Sequence, residues 1–419
     1  MSVAADSRAR RPRPRELFGP GLITGASDDD PSGIATYSQA GAQFGYGLVW
    51  TLIVTYPLMV AIQEISARLG HVTGRGIAGN LQRHYSPALA RGLVGLLALA
   101  NIVNLGADVG AMGAALRLLW GGPVLLYVAA FALVSVLVEI FTSYARYAAL
   151  LKWLCLSLLS YVVCVFVVDV SWHDVVHSLL PPRLTAQSQY LMAIVAVFGT
   201  TISPYLFFWQ AQQEVEERAA GRASRGESSE FTRIRLDTVI GMAVSNLIAV
   251  CILVTAGATL HRHGLTTIES AAQAAEALRA VAGRFAFAVF SLGIIGTGLL
   301  TLPVLAASAA YAVGELFSWP VGLNHRPGRA KAFYGAVAVA TLLGGALNFS
   351  PVNPIRALYW SAVLNGVVAV PVMVAMMHLS SRTEARGGAT LPRRLKILGW
   401  SATCGMALAV AAMAVSALR

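Results

Sequence analysis

Stretches of roughly 20 mostly apolar residues recur along the chain, divided by short polar connections with Gly, Pro or Arg. A helix of about 20 apolar residues crosses the hydrocarbon core of a bilayer. The pattern therefore predicts spanning helices at about 17–43, 46–68, 90–118, 124–142, 150–169, 190–212, 236–259, 285–314, 332–347, 354–378 and 396–417. This is an all-α integral membrane protein of about eleven transmembrane helices, with no soluble domain between them. Residues 1–16 are polar and basic, and they lack the short apolar run and cleavage site of a signal peptide. They are expected to form a disordered cytoplasmic tail, leaving 17–419 as a single transmembrane domain. Two connections are longer. Residues 213–235 mix Glu and Arg as a solvated helix and loop would. Thr266 to Glu269 has the spacing of a capping box ahead of an Ala-rich run to Leu278, which predicts a short surface helix.

Composition agrees with this reading. Of 419 residues 56% are hydrophobic and 12% charged, and the mean hydropathy is +0.65, a profile that a water-facing globule would not tolerate. A net charge of +11 would suit nucleic acid, but the basic residues are scattered over many short loops instead of lining one face. Topology explains them better. With the tail inside, that side holds most of the 31 Lys and Arg, as the positive-inside rule requires. The amino terminus is thus expected in the cytoplasm and the carboxyl terminus outside a cell membrane. Cys155, Cys164, Cys251 and Cys404 each stand alone in apolar sequence and read as buried small hydrophobes. The eight His lie in or near loops, so a buried imidazole metal site is not supported.

Chemistry is sought where the membrane interior is polar. A carboxylate at mid-bilayer costs about 2.5–3.5 kcal/mol or more, which makes intramembrane acids functional candidates. The first segment holds Asp28, Asp29 and Asp30 in a row, followed by Pro31 and Gly33. Pro removes a backbone donor and Gly loosens the turn after it, so the helix is expected to break there, freeing carbonyls beside carboxylates. Such oxygens replace water around a hard cation. The alternative is a triad capping an ordinary helix at the membrane surface, which would leave Ile34 to Val49 without a reason to be in lipid. In the sixth segment Gly199, Thr200, Thr201, Ser203 and Pro204 interrupt another apolar run; a simple proline kink is the plain alternative. The two interruptions open the first and sixth segments. Repeat one (about 17–170) and repeat two (about 190–378) then form a 5+5 inverted repeat whose broken helices meet at a midplane site, with an extra helix at about 396–417.

Other polar residues are less specific. Asp108 either lines a water path or bonds a neighbouring helix. Glu64 and Glu139 are at segment ends, where pairing with Arg68 and Arg146 is the favoured reading. Gln210, Asn246 and Asn365 are either polar glue between helices or groups behind the site; Asp108, Gln210 and Asn365 are candidates for a water or ion path.

Asp30-Pro31-Ser32-Gly33, followed by Gln39-Ala40-Gly41-Ala42-Gln43-Phe44-Gly45-Tyr46, resembles the first-helix region of the Nramp divalent-metal transporters, whose motif reads DPGN ahead of a similar run. The resemblance continues through Ala67 to Arg75, and Ile202-Ser203-Pro204-Tyr205 occupies the place of the family's Met-Pro-His. It implies the LeuT-like fold, which agrees with the repeat inferred above. It also implies that Asp30 matches the metal-binding aspartate and that the carbonyls of Ser27 and Thr200 match the backbone ligands. The chain departs from the family pattern where Gly33 replaces a ligand Asn, Ser203 a ligand Met, and Tyr205 a His linked to proton movement. Leu105 fills the place of one of two acids in the third segment, leaving Asp108. In these losses the chain is similar to the Nramp-related magnesium transporters. A thioether favours softer metals, whereas hydroxyls, carboxylates and carbonyls suit Mg and Mn. Losing side chains at 33 and 203 should leave room for a partly hydrated ion, while Asp28 and Asp29 are further acids for a tighter site.

These readings make the chain an alternating-access importer of a divalent cation, Mg²⁺ or Mn²⁺ before Fe²⁺, with weak or absent proton coupling. It needs no resident cofactor, and a monomer suffices. A Na⁺- or H⁺-coupled carrier of a small organic solute is the first alternative; three successive aspartates disfavour an anion beside them. A membrane hydrolase would need a nucleophile with its base, or a His-held metal, and the segment interiors show neither. A non-transporting metal sensor is the third class.

Overall fold

Pro follows Asp30, Ser86, Ser203 and Asn353, and a helix begins at each of the four. Asp30, Ser86 and Asn353 accept free amides of the first turn, and Pro at the first helical position forfeits no bond. In the computed structural model, which describes residues 20–142, 158–179, 187–221, 227–279, 283–323, 325, 327–382 and 391–418, every regular element among them is helical. The first segment is two helices, α1 (Pro20–Asp28) and α2 (Pro31–Phe44). Then come α3 (Val49–Thr73), α4 (Ile77–His84), α5 (Pro87–Trp120), α6 (Val124–Phe141), α7 (Leu159–Val167) and α8 (Trp172–His177). The sixth segment is also two helices, α9 (Ser188–Thr201) and α10 (Pro204–Ala219). The rest are α11 (Glu227–Thr259), α12 (Ala271–Glu276), α13 (Ala286–Leu316), α14 (Lys331–Ala346), α15 (Pro354–Ser381) and α16 (Arg393–Ala417).

Nine stretches among the described residues are long and apolar enough to cross a membrane, α9 and α10 together counting as one. The first segment is outside that set because its halves are short. The segment expected at 150–169 is described only from Leu158 onward. The tail 1–16, Cys155 and Arg146 lie outside the described residues.

Burial places the sixth segment at the centre. In its apolar stretch 89% of residues are buried, against 28% in α6 and 22% in α16, which are therefore peripheral. Around it α5, α6, α13 and α14 pack on one another as a scaffold, and α3 and α11 pack on the broken helices. The halves exchange partners: α1 packs against α10, and α2 against α9. Such crossed pairing is what two broken helices of opposite direction give when related by a two-fold axis in the membrane plane. Close approach needs small residues. Gly21 and Gly25 of α1 face α11 so tightly, around Asp237 to Gly241, that a Cβ there would collide with backbone.

Three expectations need correction. The segment around 213–235 is not simply solvated: Glu214 and Glu230 are buried, both paired to Arg233 at 2.6 and 2.8 Å. Burial without that pairing would be costly. The helix after residue 266 is capped by Ser270, which accepts from the Gln273 amide, and its Ala274 and Ala275 are buried against α13 and α5; it is no surface helix. Cys164 and Cys251 are buried, but Cys404 is exposed on the peripheral α16. Glu64 and Arg68 pair as expected, at 2.6 Å; Glu139 accepts from Ser135 at 2.8 Å.

Candidate functional site

Asp30 stands between α1 and α2 with extended backbone, at φ −70 and ψ 170, and caps α2. Its Oδ1 accepts from the Gly33 amide at 2.6 Å and the Ser32 hydroxyl at 2.7 Å. Its Oδ2 faces away from the helix, where Asn104 Nδ2 and Tyr205 Oη each stand at 3.2 Å. The residue is 1% exposed, so these four donors, from three segments, take the place of water. At the other break Ser203 is extended ahead of Pro204, at φ −72 and ψ 135. Its hydroxyl turns back onto the end of α9, donating to Gly199 O at 2.6 Å and lying 3.0 Å from Thr200 O.

Tyr205 joins the two breaks, since its hydroxyl also lies 3.0 Å from the Ser27 carbonyl oxygen. Thr301 of α13 reaches the same carbonyl at 3.3 Å. The breaks thus bring together a carboxylate oxygen, the Ser27 carbonyl near the end of α1 and hydroxyls of α10 and α13, with Thr200 near the end of α9 beside Gly33. Helix carboxyl ends carry partial negative charge, and oxygen sets of this kind bind hard cations.

The expected acids do not converge. Ser245 of α11 bonds to Asp28 Oδ2 and stands 3.3 Å from Asp29 Oδ1, so both carboxylates face α11. Among the described residues no three His, Cys, Asp or Glu side chains group to hold a metal. Nor does Gly33 leave open room: a Cβ there would lie 3.2 Å from Thr200 Oγ1 and 3.3 Å from the Asp28 carbonyl. Thr200 of the second broken helix and the Asp28 carbonyl of the first crowd the space that a side chain would fill.

Asp108 is buried in α5, one turn beyond Asn104, with its carboxylate near the Ser32 backbone at the start of α2. Gln210 donates to Thr238 of α11 at 2.9 Å, tying two helices. Asn365 in α15 has neither amide atom bonded. Sequence reasoning missed Asn104, Thr301 and Ser245. Asn104 had a signal, because Asn101, Asn104 and Asp108 share one face of an otherwise apolar helix. A single Thr or Ser in a spanning helix carries none.

Where α2 ends, a pocket of about 320 Å³ opens between α2, α9 and α15, lined in part by Gln39, Gln43, Gln189, Arg356 and Tyr359. Gln39 grips the 266–268 segment at its rim, donating to Thr266 O at 3.0 Å and accepting from Ile268 N at 2.9 Å. At the other end of the first segment Asp237 of α11 caps α1, accepting from the amides of Gly21 at 2.6 Å and Leu22 at 3.2 Å.

The sequence profile of the natural resistance-associated macrophage protein-like (Nramp) proteins matches residues 21–416. The chain belongs to the Nramp family. Among its relatives is the divalent metal cation transporter MntH of Klebsiella pneumoniae, 26% identical over 406 residues, covering 94% of this chain and 93% of that protein. The Eremococcus coleocola manganese transporter superimposes with a TM-score of 0.72 at 19% identity, over 98% of this chain and 89% of the other. MhsT, solved with L-phenylalanine, gives a TM-score of 0.66 at 13% identity over 95% and 98%. The fold is the LeuT-like one that the resemblance implied.

Proposed function

We propose that this Nramp-family protein is a transporter that imports a divalent metal ion by alternating access, taking Mg²⁺ or Mn²⁺ before Fe²⁺, with Asp30 as its principal ligand. The observation that carries the reading is the Asp30 carboxylate itself, buried at a chain break and directed toward the second break through Tyr205. The relatives named as divalent cation and manganese transporters support the substrate class. Asp30, the carbonyls of Ser27 and Thr200, and the hydroxyl of Tyr205 are all oxygen donors, and Ser203 and Gly33 stand where the family has a thioether and an amide. An all-oxygen set suits Mg²⁺ and Mn²⁺.

Tyr205 in place of the family's His, and the single acid Asp108 on α5, favour uptake with weak or absent proton coupling. The membrane potential drives a cation inward by about 2.3 kcal/mol per charge per 100 mV, so coupling is not required. The charge distribution supports a cytoplasmic amino terminus and an external carboxyl terminus. The pocket between α2, α9 and α15 is then the external vestibule. The decisive experiment is uptake of Mg²⁺, Mn²⁺, Ca²⁺ and Fe²⁺ into liposomes by the native protein and Asp30→Ala. Loss of flux in the variant is expected; retained flux would remove Asp30 from this role, and acidification tracking uptake stoichiometrically would refute the absence of coupling.

A further inference from the structure

We propose that Asn104 supplies a ligand oxygen to the transported cation, brought by α5 of the scaffold to the break in the first segment. This rests on the reading of Asp30 as the cation's carboxylate. Asp30 Oδ2 can only accept, so the group of Asn104 that faces it at 3.2 Å is the amide nitrogen. That contact fixes which amide atom meets the carboxylate. The Oδ1 atom hangs from the same carbon as that nitrogen, at the same end of the side chain. It is buried, in a residue with no exposure, and accepts no hydrogen bond.

A buried carbonyl without a donor is destabilising, a cost that an apolar residue of similar size would avoid. The Ser27 hydroxyl is likewise buried without a partner. A cation at Asp30 Oδ2 satisfies this amide oxygen, and an uncharged amide oxygen is a hard ligand fitted to Mg²⁺ or Mn²⁺. The ligand set then straddles two bodies. Asp30, Ser27 and Tyr205 belong to the broken helices and Asn104 to the scaffold, so binding draws the two together.

The test is calorimetric titration of Mg²⁺ and Mn²⁺ into the full-length protein as native, Asn104→Leu, Asn104→Ala, Asn104→Asp and Asp30→Ala, with thermal unfolding to select folded variants. Asn104→Leu and Asn104→Ala should bind at least about tenfold more weakly, the usual range for losing a group at a metal site. Asn104→Asp retains an oxygen and gives up the donor, so it should bind as tightly as the native protein or more tightly. If Asn104 only steadies Asp30 by donating, the aspartate would repel Asp30 and bind as weakly as the Leu variant, which overturns the proposal. Native affinity in the Leu or Ala variant overturns it as well. Absence of divalent binding in the native protein, or binding that survives Asp30→Ala, would instead overturn the metal reading of Asp30.

Discussion

The Tyr205 hydroxyl stands 3.0 Å from the Ser27 carbonyl oxygen and 3.2 Å from Asp30 Oδ2, so one proton serves two acceptors that lie on either side of the first chain break. The contact makes each break depend on the other. A cation taking up both acceptors would require the proton to rotate away, leaving the phenol oxygen as a further ligand.

Tyr205→Phe keeps the buried ring and removes only that oxygen. Asp30 retains three donors and the Ser27 carbonyl retains Thr301, so the expected loss of stability is modest, about 1–2 kcal/mol. Affinity should fall further, with KM for Mg²⁺ or Mn²⁺ uptake raised about tenfold. Concentration-dependent liposome uptake is the measurement, and an unchanged KM would exclude the hydroxyl from the site.

Gly33 and Thr200 are fitted to each other. Gly33→Ala would put a methyl 3.2 Å from Thr200 Oγ1, and overpacking of this kind typically costs about 1–3 kcal/mol. The breaks should be pushed apart and transport reduced. Adding Thr200→Ala should recover part of the loss in uptake and in thermal stability. A neutral Gly33→Ala, or a double variant no better than the single, would show that the approach has no such role.

Arg233 is the centre of a buried cluster, with Glu214 on α10 and Glu230 at the start of α11. Arg233→Ala strands two acids, and breaking a buried pair in this way costs about 3–5 kcal/mol. The yield of monodisperse protein in detergent should drop sharply, with a lower Tm. Replacing the three together as Arg233→Met, Glu214→Gln and Glu230→Gln removes the stranded charges and should restore most of the yield. Equal losses in the single and triple variants would contradict this account.

Much of the fold was legible because its causes are local. Apolar length predicted the spans, and Asp30-Pro31 and Ser203-Pro204 predicted the two breaks. Ser86-Pro87 and Asn353-Pro354 carried the same cap-and-proline signal and mark the starts of α5 and α15. The reading failed where a connection's polarity was taken for solvation. Glu214, Glu230 and Arg233 form a mixed-charge run in the sequence, but their pairing removes the need for water. Cys404 shows the converse: an apolar surrounding in sequence does not say whether a side chain faces protein or the outside of a peripheral helix.

The sequence by itself determined that this chain spans a membrane, that two spans are interrupted, and that the first interruption falls at the aspartates and Pro31. Each is set by chain length, hydropathy and the missing donor of proline, within a few residues of where it acts. Only the tertiary structure decided which of three adjacent acids turns toward the second break. The helix α1 ends at Asp28 and the backbone is extended at Asp30, so Asp28 and Asp29 turn to Ser245 while Asp30 meets Asn104, 74 residues away. No local pattern encodes that meeting, because it depends on how α5 packs against the broken helix.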